Sequence, residues 1–262
     1  MLYLKIADLI FAVDYSEYKE DIFNNPYLSK QFLKYVCNSQ VPDYSIKFTC
    51  RKDYNGIGKI DISDDWKTAE FINYVVNDIE SYRFFIDMLA GLSHYMQGAI
   101  LRCNSFLVHS VALQYQGKGL IFPAAAGVGK TTHTTFWAEN FGAEILNGDS
   151  PIIKIVDGKP FIYGSPWCGS SEITVNKVVP LDAIVILSRG TENKIHKLNK
   201  FEAVGYLFNH IKRPAWDADS ANICLDYCET LINTLNIYRL ECLPNSDSAE
   251  VARRGIIELN EH

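Results

Sequence analysis

The sequence predicts an α/β fold in two parts: a smaller N-terminal α/β accessory region over residues 1–102 and a larger α/β domain over residues 103–262. Three observations carry this. From Phe106 onward, short apolar strands, a glycine-rich loop and a helix follow one another closely, as in a wound α/β unit. Residues 183–187 form an unbroken apolar run, the pattern of a central strand. Residues 1–102 alternate short apolar strands with two helical stretches and hold no glycine-rich phosphate-type loop or catalytic cluster, which marks them as an accessory layer.

Each element has its own signal. Residues 2–6 and 9–13 predict a hairpin around Ala7-Asp8, residues 27–37 a helix, and residues 45–50 and 59–62 strands separated by the Asn55-Gly56 turn. From Ile79 to about Leu101, apolar residues including Phe84, Phe85, Met88, Leu92 and Met96 recur near helical spacing, predicting a long helix that buries one face against the next domain. Its aromatic residues read as core. Residues 106–114 and 120–122 are expected as strands, 124–129 as a loop, 131–140 as a helix, and 144–146 and 152–156 as strands. Asp157-Gly158 should close a hairpin into residues 161–163, and 164–169 is a loop by composition. After the run at 183–187, ended by Arg189-Gly190, helices are expected at 200–211 and about 227–235, a strand at 237–243 and a last helix at 248–259.

Composition narrows the function classes. A chain of 262 residues, 48% of them hydrophobic, can bury a full core. The formal charge of -6 is spread along the chain and no basic block occurs, which argues against nucleic acid as a partner. No apolar run reaches the length of a membrane span, and the start MLYLKIADLIFAVD carries charges without a signal-peptide cleavage pattern. A soluble cytoplasmic protein without a membrane partner is therefore expected, and a homo-oligomer is compatible with this composition. The seven cysteines are scattered and odd in number, which suits reduced thiols. Cys224 and Cys228 share helical spacing but lack a second ligand pair, and Cys168 has no histidine beside it in sequence. Cys224 and Cys228 read as core or surface helix positions rather than metal ligands, and Cys168 as a packed or idle thiol rather than a nucleophile.

The chemistry concentrates in residues 119–133, where an apolar strand turns into Ala124-Ala-Ala-Gly127-Val-Gly129 and then Lys130-Thr131-Thr132. That order forms a phosphate cradle: loop N–H groups and a helix N-terminus face a triphosphate, Lys130 reaches its outer phosphates, and the Thr131 hydroxyl holds Mg²⁺. The candidate nucleotide-binding set is Ala126, Gly127, Val128, Gly129, Lys130, Thr131 and Thr132. Gly127 and Gly129 are expected where a Cβ would block the close approach of phosphate oxygens. Ala124 stands where the pattern has its first glycine. Asp149 follows a strand through Asn147-Gly148, so it should sit at a strand end beside the loop, able to hold metal or accept a hydroxyl proton. His109 falls on the strand before the loop strand. His133, in the first helical turn, is able to approach phosphate but is as easily solvated. Lys177, Arg189 and Arg213 are alternative partners for a γ-phosphate, and spacing does not choose among them.

Taken in order, His109-Ser-Val-Ala112, Gly119-Leu-Ile-Phe122, Gly127-Val-Gly-Lys-Thr131 and Gly142-Ala-Glu-Ile-Leu-Asn-Gly-Asp149 resemble the catalytic domain of the HPr serine kinase/phosphorylase family and the related phosphoenolpyruvate carboxykinase-type P-loop kinases. The resemblance covers roughly residues 103 to 260. It implies a carboxykinase-like mixed sheet with a P-loop, ATP and Mg²⁺ as ligands, and catalytic roles for Asp149, His109 and Lys130, with Thr131 and Asp149 on the metal. Residues 164–169 with Val179-Pro-Leu181 look like smaller HPr-kinase-like proteins of bacteria.

The chain departs from the family at three places. The family carries two adjacent acids where this chain has Gly148-Asp149, its glutamate-and-arginine motif with a run of glycines is missing here, and Ala124 replaces a glycine. The expected function is ATP-dependent phosphoryl transfer to a hydroxyl on an unknown protein serine or small metabolite. The alternative is a catalytically weak or inactive nucleotide-binding regulatory or accessory protein. A carboxykinase acting on oxaloacetate fits less well, because the chain is shorter than those enzymes and shows no second metal cluster.

Overall fold

The computed structural model describes residues 1–39, 41–51, 58–73 and 79–258. The chain divides into two compact units, Met1–Cys103 and Asn104–His262. In the first, β1 (Leu2–Ile6) and β2 (Leu9–Asp14) form the expected hairpin, turned by Ala7 and Asp8 at positive φ. The helix α1 (Pro26–Phe32) is shorter than its sequence signal. Asn25 accepts from the Tyr27 and Leu28 N–H groups to start it, and a 3₁₀ turn over Leu33–Tyr35 replaces its expected end. Strands β3 (Tyr44–Cys50), β4 (Lys59–Ile62) and β5 (Thr68–Asn73) complete a sheet in the order β1-β2-β3-β5-β4.

β5 was not visible in the sequence, and it changes the pairing. It lies between β3, which it joins in parallel, and β4, which it joins antiparallel, so β3 and β4 are not neighbours. The Asn55-Gly56 turn lies outside the described residues. The long helix α2 (Tyr82–Leu101) starts after Ile79, with the Ser81 hydroxyl accepting from the Phe84 N–H. It packs on the sheet of its own unit. Gly91 permits this approach, since a Cβ there would come 2.7 Å from Phe71 Cγ.

In the second unit the expected single strand over 106–114 is broken at His109 into β6 (Ser105–Val108) and β7 (Ser110–Tyr115). The break has a hydrogen-bonding cause. Val108 and Ser110 donate their N–H groups to the turn before β10, at Pro151 O (3.1 Å) and Asp149 O (2.9 Å), while His109 between them donates to a different segment, at His210 O (2.8 Å). The chain here passes from one strand neighbourhood to another. Next come β8 (Lys118–Pro123), α3 (Lys130–Phe141), β9 (Glu144–Asn147), β10 (Ile152–Val156) and β11 (Lys159–Tyr163). The β10–β11 hairpin turns at Asp157 (φ 49) and Gly158 (φ 75), both left-handed as a tight hairpin turn requires.

The strand β12 (Val178–Arg189) is longer than its apolar run. It is followed by β13 (Lys194–Lys197), α4 (Lys200–His210), β14 (Ile211–Lys212), α5 (Ala218–Thr234), β15 (Asn236–Cys242) and α6 (Asp247–Glu258). The last expected residue of α6, Leu259, lies outside the described residues. These strands make a mixed sheet in the order β14-β6-β10-β11-β12-β8-β7-β9, with β15 between β12 and β13. β12 first pairs antiparallel with β11, then runs parallel to β8 and β15. Both its faces are covered. Ala183, Val185 and Leu187 join Phe122, Trp137, Tyr238 and Ile256 in the core under α3 and α6, while Ile184 and Ile186 are buried on the other side.

Candidate active site

The loop between β8 and α3 is built by sequence-specific backbone geometry. Gly127 (φ 74) and Gly129 (φ 115) are left-handed, and a Cβ at either would meet nothing within 4 Å. Backbone conformation by itself demands glycine at both. Ala124 is fully buried in the core, where its methyl is accommodated. Its carbonyl accepts from Lys130 Nζ at 3.0 Å. Ala125, Ala126 and Gly127 are exposed, and Val128 and Gly129 half-buried. Gly129 caps α3 without a side-chain hydrogen bond, so the first N–H groups of this helix have no side-chain partner at their cap. Thr131 and Thr132 sit exposed on its first turn.

Four segments bring charged side chains together beside this loop. Lys130 Nζ lies 3.0 Å from His109 Nε2. His109 Nδ1 lies 3.3 Å from Asp149 Oδ1, and Lys212 Nζ lies 3.3 Å from Asp149 Oδ2. An ammonium has only donors, so His109 Nε2 accepts from Lys130 and the ring proton sits on Nδ1, facing the carboxylate. The break at His109 presents this ring at the site. Asp149 is aimed by Asn147, whose fully buried side-chain carbonyl accepts from the Asp149 N–H (3.0 Å) and the Ser150 N–H (2.8 Å). The same amide donates to Ser165 O at 2.9 Å, anchoring the turn in the interior.

Charge and burial act against each other here. Burial alone would raise the Asp149 carboxyl, but the hydrogen bond from His109, the charge of Lys212 and the hydroxyl of Ser150 together hold it well below the usual carboxylate range. Burial lowers Lys130; the Asp149 charge counteracts this and Lys212 adds to it. His210 is likewise lowered by burial. Asp149 is thus a firm anion between two cations.

Sequence reasoning missed Lys212 and Ser150. Lys212 lies on the two-residue strand β14, too short to leave a periodic signal. The Ser150 hydroxyl donates to Asp149 Oδ2 at 2.6 Å and receives Lys212 Nζ. Among the other candidates, Arg189 reaches the loop and donates from Nη2 to Gly127 O at 2.7 Å. Lys177 is engaged elsewhere, with Gln114 and Glu144. Arg213 folds back onto its own chain, donating to Phe208 O and lying over the Phe208 ring.

His133 is not solvated. It is buried, accepts from Trp137 Nε1 at 3.1 Å and lies 3.1 Å from Ser248 Oγ, and burial pushes its imidazole down to about 4. Cys168, Cys224 and Cys228 are buried and form no disulfide, the last two with pKa values pushed up by burial to about 11 and about 12.

A cavity of about 410 Å³ opens on the α3 side of the loop, with Gly127, Thr132, Phe136, Arg189, Leu243 and Pro244 in its wall. Among the described residues no group of three or more His, Cys, Asp or Glu side chains is arranged to hold a metal ion by itself. Nor is any described helix long and apolar enough to cross a membrane.

No protein-family model matches the chain. No curated protein matches it either. Among solved structures it is similar to the Hpr(Ser) kinase/phosphatase from Coxiella burnetii, at 9% identity and a TM-score of 0.36, over 59% of this chain and 98% of that one.

Proposed function

We propose that the chain is an ATP-dependent kinase that moves the γ-phosphoryl group to a hydroxyl acceptor, either a protein serine or a small metabolite. The observation that carries this reading is the series Lys130, His109, Asp149 and Lys212, joined by contacts of 3.0 to 3.3 Å beside a left-handed glycine loop. Phosphoryl transfer asks chiefly for positioning and for charge to offset the phosphate oxygens.

The chain's own groups divide that work. The backbone over Ala126–Gly129 and the free first turn of α3 hold the phosphates, and the cavity beside the loop takes the rest of the nucleotide. Lys130 exchanges Ala124 O and His109 for phosphate oxygens. Asp149 stays anionic and accepts the hydrogen bond of the acceptor hydroxyl, oriented by His109, Ser150 and Lys212. Thr131 and Asp149 offer the hard oxygen ligands that suit Mg²⁺, which usually takes one or two protein ligands and completes its shell with phosphate and water. The Thr131 hydroxyl makes no hydrogen bond among the described residues. Bound there, Mg²⁺ would neutralise charge on the phosphate oxygens.

Incubation with MgATP and candidate hydroxyl acceptors, read by mass spectrometry, should give ADP and a phosphorylated product. No product with any acceptor, from a chain that binds MgATP, would argue for the second reading, a nucleotide-binding regulatory or accessory protein. One observation favours that reading: no carboxylate stands at Gly148, and Ser171 fills the space where a side chain there would go. In that case MgATP should raise the thermal midpoint without turnover.

A further inference from the structure

The turn over residues 168–172 lies directly against the candidate site. Gly169 is left-handed (φ 60), and a Cβ built on it would lie 2.9 Å from Asp149 Cβ and 3.2 Å from Asp149 Cγ. On its other side the turn abuts Gly148, whose Cβ would come 2.7 Å from Ser171 Cβ. The turn therefore occupies ground beside Asp149 that a second carboxylate would otherwise take.

Its two serines differ. The Ser171 hydroxyl is committed, donating to Cys168 O at 2.7 Å and accepting from the Ile173 N–H at 3.2 Å. Ser170, at the tip of the single 3₁₀ turn Gly169–Ser171, is exposed, and its hydroxyl has no hydrogen bond among the described residues. Glu172 (φ 56) closes the turn in a second left-handed conformation. Because adjacent Cα atoms are about 3.8 Å apart, Ser170 is one residue step from Gly169, where a Cβ would press on Asp149.

We infer that Ser170 is a phosphoryl acceptor within the chain itself, taking the γ-phosphoryl group from ATP held at the glycine loop. This rests on the kinase reading above. Ser170 Oγ forms a bond to the γ-phosphorus while the bond from that phosphorus to the β–γ bridging oxygen breaks. ADP leaves with the electron pair, and the hydroxyl proton passes to solvent at the exposed rim. The resulting monoester would bring about -1.5 to -2 of charge beside Asp149, altering a site whose balance depends on one anion between two lysines.

The test is peptide mapping by mass spectrometry of the full chain after incubation with MgATP, for the parent, Ser170→Ala and Ser171→Ala. The expected result is one phosphoryl group on the peptide carrying Ser170, lost in Ser170→Ala, kept in Ser171→Ala, and formed at a rate independent of chain concentration. A parent chain that binds MgATP but leaves this peptide unlabelled overturns the inference and leaves the kinase reading standing. So does a label that survives Ser170→Ala, or one whose rate rises with chain concentration. A parent chain that binds no MgATP overturns the kinase reading, and this inference falls with it.

Discussion

His109 and Asp149 meet twice. Their side chains pair with Nδ1 3.3 Å from Oδ1, and the backbone beside them is tied by the Ser110 N–H, which donates to Asp149 O at 2.9 Å. The ring and the carboxylate thus project from one main-chain junction. With Lys130 on the far ring nitrogen and Lys212 on the other carboxylate oxygen, the anion is enclosed by positive groups before any ligand arrives.

Asp149→Asn should reduce phosphoryl transfer more than His109→Ala. The amide keeps the size of the side chain but supplies no anion for metal or for the acceptor hydroxyl, and it leaves Lys212 without its counter-charge. A drop of about a hundredfold or more is expected, the usual scale for losing an electrostatic stabiliser in an active site. Transfer rates for both variants decide it: unchanged transfer in Asp149→Asn with loss in His109→Ala would reverse the roles.

Gly148→Asp meets a steric obstacle rather than a conformational one, because Gly148 is not among the left-handed glycines and its Cβ would press on Ser171. Alone it should cost about 1–3 kcal/mol of stability as overpacking. Paired with Ser171→Gly, which clears that side chain, the substitution should recover stability. If the chain is a weakened kinase, the restored acid should also raise transfer by roughly a hundredfold to ten-thousandfold. Denaturant melts and product assays on both variants measure this. A double variant that is stable, binds MgATP and gains nothing would favour the binding-only reading.

His133 predicts an acid-sensitive fold. Its folded value is lowered from 6.5 to about 4 by burial, so between these pH values the unfolded chain takes up a proton that the folded chain refuses. The stability it contributes is complete above the unfolded value and is lost as pH falls toward about 4, amounting to about 3 kcal/mol. Urea midpoints measured across that window should fall in the parent and stay flatter in His133→Gln, whose amide oxygen can still accept from Trp137. Equal slopes for the two proteins would show that His133 is not the cause.

Local signals made much of the fold legible. Residues 183–187 announced a strand buried on both faces, and Asp157-Gly158 announced its hairpin, because the cause lies within a few neighbouring residues. What escaped was decided by distant partners. β14 exists through pairing with β6, far along the chain, β5 joins β3 in parallel past the intervening β4, and the break at His109 comes from three N–H groups finding three separate acceptors. The site followed the same division. Lys130, Asp149 and His109 were nameable from motif order, whereas Lys212 joined them only through tertiary folding. His133 looked open on the helix and is sealed by Trp137 and Ser248.

The most direct test of the account is calorimetric titration of MgATP into the parent chain and into Lys130→Ala. Lys130 is half-buried and its ammonium bonds, among the described residues, to Ala124 O and His109, so its removal should leave the fold intact while withdrawing a positive charge from the phosphates. Saturable binding is expected in the parent, one nucleotide per chain, and binding weakened by about a hundredfold or lost in the folded variant. A folded parent that takes up no MgATP, or a Lys130→Ala chain that binds it as tightly as the parent, would contradict it.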